Sequence, residues 1–104
     1  MGPTEREIKL LSLKGILKLR AEYVSEVSKI EDLVKELKIK SENHEIKEQE
    51  YTDAVIILKE TKELIPLATE KVKEMAEDLR SIVNGDHTEA LDRLLSEADE
   101  VCSL

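Results

Sequence analysis

The chain has 104 residues, of which 38% are charged and 2% aromatic, and its formal net charge is −8. This length fits one domain with one core, and the composition is typical of long surface helices rather than of sheets. No dominant basic surface and no long apolar run are present, which disfavours general nucleic-acid binding and a membrane span. Cys102 is the single cysteine, so a reducing, cytoplasmic compartment is expected.

The first predicted helix covers residues 4–40. Thr4, followed by a glutamate three residues later, has the spacing of a capping box. Leu10, Leu17 and Val24 lie seven apart beside the main seam, which favours contact with two neighbouring helices. The seam itself repeats in alternating steps of three and four residues, as in a coiled coil. Its members are Leu13, Ile16, Arg20, Tyr23, Val27, Ile30, Val34 and Leu37.

The second predicted helix covers residues 45–83 and carries a longer seam of the same kind. Pro66 lies inside it and should bend the helix at a cost of about 3 kcal/mol, because proline removes a backbone donor and crowds the preceding turn. Ile56 should face solvent, whereas Val55 and Ile57 flank the seam and should be half buried. The seam residues are Tyr51, Ala54, Leu58, Thr61, Ile65, Ala68, Val72, Met75, Leu79 and Ile82.

The third predicted helix covers residues 87–102, with Asp86 as its N-cap, after a helix stop at Asn84-Gly85. A polar connection at residues 41–44 separates the first two helices. Short connections place consecutive helices antiparallel. The predicted fold is therefore an all-α, up-down-up, coiled-coil-like three-helix bundle over residues 1–104. Its short third helix should cover only part of the groove between the two long ones.

The sequence offers no catalytic constellation, and we expect no enzyme activity, metal or cofactor. His44 and His87 fall at opposite ends of the second helix and cannot share a metal. Carboxylates three residues apart occur in all-helical nucleotide pyrophosphatases, which hold magnesium with them, but the pairs of helix 2 fall off the seam and should face solvent. The pairs are Glu45/Glu48, Glu60/Glu63, Glu74/Glu77 and Glu97/Glu100.

A line of outward positions on the second helix predicts a partner-binding surface. Ile56, Glu60, Glu63 and Leu67 follow one another at steps of four, three and four, beside Pro66. Scattered exposed apolar residues are ordinary, but a line of them beside a helix bend indicates a contact surface.

Several segments resemble the tubulin-folding cofactor A family. The resemblance is collinear and covers about residues 6–83. Its most specific parts are the start of the second helix and the Ile-Pro dipeptide within that helix. The matching segments are Ile8-Lys9, Leu13-Lys14, Lys18, Tyr23, His44 to Glu50, Leu58 to Pro66 and Glu77-Asp78-Leu79.

The resemblance implies a three-helix bundle without a catalytic site or cofactor. Family members capture β-tubulin released by the cytosolic chaperonin and pass it to other tubulin-folding cofactors. The implied protein is a cytoplasmic, cytoskeleton-associated monomer or weak homodimer that binds neither nucleic acid nor membrane. As a further hypothesis, Lys14 and Lys18 of the basic first helix form a second contact with acidic tubulin. The alternative from the residues alone is a structural subunit of a larger coiled-coil assembly.

Overall fold

The computed structural model describes residue 2, residues 4–83 and residues 88–103. In this part of the chain three helices are found: α1 (Glu5–Glu42), α2 (Glu48–Val83) and α3 (Glu89–Cys102). The predicted all-α fold, with two long helices and a shorter third, is confirmed. None of the described helices combines the length and apolar character that crossing a membrane requires.

The predicted capping box forms at the start of α1. The Thr4 hydroxyl oxygen accepts a hydrogen bond from the Glu7 backbone N–H at 3.2 Å, and a Glu7 carboxylate oxygen accepts one from the Thr4 N–H at 3.4 Å. Both partners satisfy backbone donors that the first helical turn leaves unpaired. The local sequence therefore determines where this helix begins.

The end of α1 lies two residues beyond the predicted one, because the chain closes the helix with a Schellman motif. His44 adopts a left-handed conformation with φ of 59°. Its N–H donates to the Ser41 carbonyl at 3.1 Å, and the Glu45 N–H donates to the Lys40 carbonyl at 2.9 Å. These two bonds are the pair that defines the motif, which usually places glycine where His44 stands. Consequently α2 begins at Glu48, three residues later than predicted.

The prediction of Asp86 as the N-cap of the third helix is wrong. Thr88 holds that position, since its hydroxyl oxygen accepts the backbone N–H of Leu91 at 3.2 Å. The helix therefore starts at Glu89, two residues later than expected. The residues Asn84, Gly85, Asp86 and His87 lie outside the described part of the chain.

The described residues group into two compact units. The three-helix unit comprises Met1–Arg20 and Leu67–Leu104, and the two-helix unit comprises Ala21–Pro66. The long helices α1 and α2 each contribute one part to each unit, whereas α3 belongs to the three-helix unit alone. In α2 the division falls directly after Pro66.

The three-helix unit contains the main core. Lys9 pairs with Asp78 at 3.6 Å, and Arg20 Nε donates to the Thr69 hydroxyl at 2.8 Å, so α1 and α2 run antiparallel. Leu17, on the flank of the α1 seam, is buried in the same core cluster as the leucines of α3. The cluster consists of Leu13, Leu17, Val72, Ala76, Leu79, Val83, Leu91, Leu94, Leu95 and Ala98.

The two-helix unit is a hairpin of the second part of α1 and the first part of α2. Every predicted seam residue of both helices is buried or half-buried, so the heptad assignment is confirmed. In this unit, however, Val27 and Ala54 are the described hydrophobic residues that are fully buried. Val24, seven residues after Leu17, is 43% exposed. Two helices bury the seam between them but leave its flanks open.

Candidate protein-binding surface

Three consecutive apolar residues of α2 are exposed in the two-helix unit. The exposed fractions are 38% for Val55, 48% for Ile56 and 51% for Ile57. The prediction for Ile56 is confirmed, and Val55 and Ile57 are about half buried, as their positions beside the seam allow. They flank the seam, and this unit has no third helix to cover them. Because consecutive helical residues point in different directions, these three side chains spread apolar surface around the outer side of α2.

A shallow groove of about 420 Å³ lies on the same part of α2. Pro66 has no N–H, so the Lys62 carbonyl one turn earlier lacks its helical donor. The Thr61 hydroxyl donates to the Ile57 carbonyl at 2.8 Å, which is a second departure from regular helix bonding in this stretch. The lining residues are Val55, Leu58, Lys59, Lys62, Glu63 and Pro66.

The groove has an apolar floor and a charged edge, where two lysines outnumber the single carboxylate of Glu63. Lys59 and Lys62 are exposed, and neither forms an ion pair with any described carboxylate. Their stems can lie along apolar surface while their ammonium groups reach water or a partner's carboxylate. The arrangement can therefore hold an apolar side chain and pair with a negative charge beside it.

The structure brings together four of the predicted site residues. Ile56, Glu60, Glu63 and Pro66 are all exposed on α2 within the two-helix unit. The other three are also exposed, but they belong to the three-helix unit: Lys14, Lys18 and Leu67. Of all seven, Leu67 has the most exposed apolar side chain of the chain's described large hydrophobics, at 66%.

Sequence reasoning missed the groove beside the predicted line. Val55, Lys59 and Lys62 were assigned no role, because flanking positions of a seam usually carry solvated charge. A signal was nevertheless present: α3 is too short to flank the whole of α2. Where no third helix packs beside the seam, the residues that flank the seam are exposed to solvent.

Metal binding and thiol chemistry have less support than protein binding among the described residues. There, no group of three His, Cys, Asp or Glu side chains could hold a metal ion. The carboxylate pairs three residues apart are exposed, as predicted. Cys102 is an exposed free thiol beside Arg80 and Asp99, in a groove of about 240 Å³.

Comparisons of the chain with protein-family models, curated proteins and solved structures found no match. The resemblance to tubulin-folding cofactor A therefore stays a prediction that rests on the matching segments of α1 and α2. The exposed apolar residues and the groove of α2 are the structural features on which a function can be proposed.

Proposed function

We propose that this protein is a non-catalytic chaperone that binds β-tubulin after chaperonin release and holds it on the way to the αβ heterodimer. The observations that carry the proposal are the groove of α2, which Val55 and Pro66 line, and the further exposed apolar side chains of Ile56 and Ile57. The identity of the partner rests on the resemblance of the flanking sequence. Cytoplasmic location and hand-over to other tubulin-folding cofactors are parts of the same proposal.

A holding function needs a surface that binds a partner reversibly. Apolar area removed from water contributes about 25 cal/mol per Å², and charges at the edge of a contact add specificity and speed more than affinity. The α2 surface of the two-helix unit offers both, with apolar side chains between Lys59, Lys62 and the carboxylates of Glu60 and Glu63. Binding of this kind requires no cofactor or bond-breaking step.

The direct test is size-exclusion chromatography of the purified chain with and without β-tubulin released from the native heterodimer. We expect co-elution as a stoichiometric complex. Ile56→Gln should weaken the complex about tenfold, because a central apolar contact is lost. Ile39→Gln is the matched control, since Ile39 is a similarly exposed isoleucine on α1 of the same unit. Separate elution of a folded chain, or equal effects of both substitutions, would contradict the proposal.

The basic part of α1 is tested separately. Lys14 and Lys18 are exposed and form no ion pair with the described carboxylates. Reversing both charges to glutamate should slow association with acidic β-tubulin several-fold at low salt and have less effect at high salt. Unchanged association rates would remove these lysines from the contact while leaving the α2 surface in place.

A second candidate is a structural subunit of a larger coiled-coil assembly. It is favoured by exposed apolar residues on α1 of the two-helix unit, such as Val24 and Leu33. The two candidates differ in the behaviour of the chain alone. A chaperone should be a monomer or weak dimer with a sharp unfolding transition, whereas an obligate subunit should fold poorly until its partner is added.

A further inference from the structure

The stripe of α2 that contacts α3 has a counterpart that no described residue covers. In the three-helix unit, Ala76 and Val83 lie in the core cluster with the α3 leucines. Arg80, on the same stripe, donates from one nitrogen to both carboxylate oxygens of Asp99 at 2.7 Å. Here α3 covers the flank of the α2 seam and pairs with its cation.

Residues fourteen positions apart occupy the same heptad position on a coiled-coil helix. Two heptads before Ala76 and Arg80, the stripe carries Lys62 and Pro66. These residues line the groove of about 420 Å³ in the two-helix unit. The same heptad positions are therefore filled by a helix in one unit and open in the other. On α1 the residues beside the seam differ in the same way. Leu17 is buried in the three-helix unit, whereas Val24 is exposed in the two-helix unit.

We propose that the groove of the two-helix unit is the docking site for an acidic amphipathic helix of a partner protein, which lies there as α3 lies in the three-helix unit. The proposal deepens the proposed function and rests on it, because it specifies the kind of segment that the captured protein presents. The groove continues the stripe of α2 that already binds a helix, and its two lysines complement the charge of an acidic helix.

The chemistry of α3 indicates what the docking helix should look like. Its buried residues recur at helical steps of three and four, and most of its exposed residues are carboxylates. Lys59 and Lys62 of the groove have no carboxylate partner among the described residues, whereas Arg80 has Asp99. The stripe from Val55 to Pro66 is about 17 Å long, which accommodates about three helical turns.

A second copy of the chain fits the groove less well. Its own α3 has the required character, but Leu91, Leu94 and Leu95 are buried within its three-helix unit. To occupy a neighbour's groove, α3 would have to leave that core and expose these leucines to water, which is unfavourable. A partner helix faces no such competition.

The test uses a capped synthetic peptide with the sequence of residues 88–103 as the probe. It is titrated into the full-length ¹⁵N-labelled chain while backbone resonances are followed by NMR. We expect saturable shifts at the amides around Val55, Lys59 and Lys62, and none at those of the chain's own α3. The variant Lys59→Glu/Lys62→Glu should bind the peptide about tenfold more weakly.

The matched control is Lys29→Glu/Lys47→Glu, which reverses two exposed lysines of the two-helix unit outside the groove. Equal weakening by both double variants, no shifts at all, or shifts confined to α3 and residues 67–83 would overturn the proposal. Shifts at the groove that depend on chain concentration without peptide would assign it to a second copy instead. Peptide binding without β-tubulin capture would retain the groove and reject β-tubulin. β-Tubulin capture without peptide binding would retain β-tubulin as the partner and reject the groove as a docking site for an acidic helix.

Discussion

The three-helix unit and the two-helix unit share the same two helices and the same heptad pattern, yet they differ sharply in burial. Of the thirteen described hydrophobic residues that are fully buried, all but Val27 and Ala54 belong to the three-helix unit. The difference is α3, which covers the flanks of both seams. An apolar seam is thus enough to pair two helices, but a packed core needs a third element.

The two units are also expected to differ in local stability and in their part in binding. A hairpin with little buried apolar surface belongs to the low-stability end of a protein, where local opening is frequent and binding surfaces are commonly found. The exposed residues Val55, Ile56 and Ile57 of α2 lie in that unit, whereas Leu67, also exposed, belongs to the three-helix unit. The three-helix unit, which holds most of the buried core, is expected to be the more stable of the two.

The largest expected effect contrasts one core residue with one exposed residue of α2. Leu79→Ala removes a fully buried side chain and should lower the free energy of unfolding by about 3 kcal/mol. Ile57→Ala, at a half-exposed position of the two-helix unit, should change it by less than about 0.5 kcal/mol. Urea unfolding monitored by circular dichroism measures both. Similar losses of unfolding free energy from both substitutions would contradict the difference in burial between the two units.

Pro66→Ala tests the proline at the edge of the groove. Alanine restores an N–H for the Lys62 carbonyl, so the unfolding free energy should rise by about 1 to 3 kcal/mol. Capture of β-tubulin should nevertheless weaken, because Pro66 is one of the residues that line the groove. Denaturant titration and co-elution measure the two effects. Undiminished capture would make Pro66 a feature without a role in binding.

Gly15→Ala addresses the three-helix unit with a smaller effect. Gly15 lies inside α1, and no neighbouring atom stands within 4 Å of the position that an alanine β-carbon would take there. The substitution should therefore stabilise the chain by about 1 kcal/mol through helix propensity alone. The urea midpoint should rise, with β-tubulin capture unaltered. A loss of stability would mean that this part of α1 needs the flexibility of glycine.

His44→Gly gives the smallest expected effect and addresses the two-helix unit. The left-handed conformation of His44 is unfavourable for a residue with a β-carbon, and glycine adopts it freely. We expect a gain of about 0.5 kcal/mol, seen as slower amide exchange near the end of α1. His44→Ala is the control and should give no gain. Equal results for both would argue against the Schellman motif.

The sequence predicted those features that depend on periodicity and on local caps. The seams of α1 and α2 and the capping box at Thr4 follow from short-range rules, and all are present. The short third helix followed from its apolar repeat, which spans Leu91 to Val101 and is much shorter than those of α1 and α2. Exposure of Ile56 followed from its heptad position.

Other features depend on competition between alternatives that the sequence does not rank. Asp86 and Thr88 are both good N-caps, and the structure selects Thr88. His44 gives no glycine signal for the Schellman motif that it forms. The groove depends on where α3 ends relative to α2, which is a tertiary property. Its lysines therefore looked like ordinary solvated residues.

The central claim is that the two-helix unit, through α2, is where a captured β-tubulin binds. Hydrogen exchange of the chain, read by mass spectrometry with and without β-tubulin, tests it most directly. The account predicts slower exchange in residues 48–66 on binding and little change in α3, which is already packed in the core. Protection confined to the three-helix unit, or no protection anywhere, would contradict it.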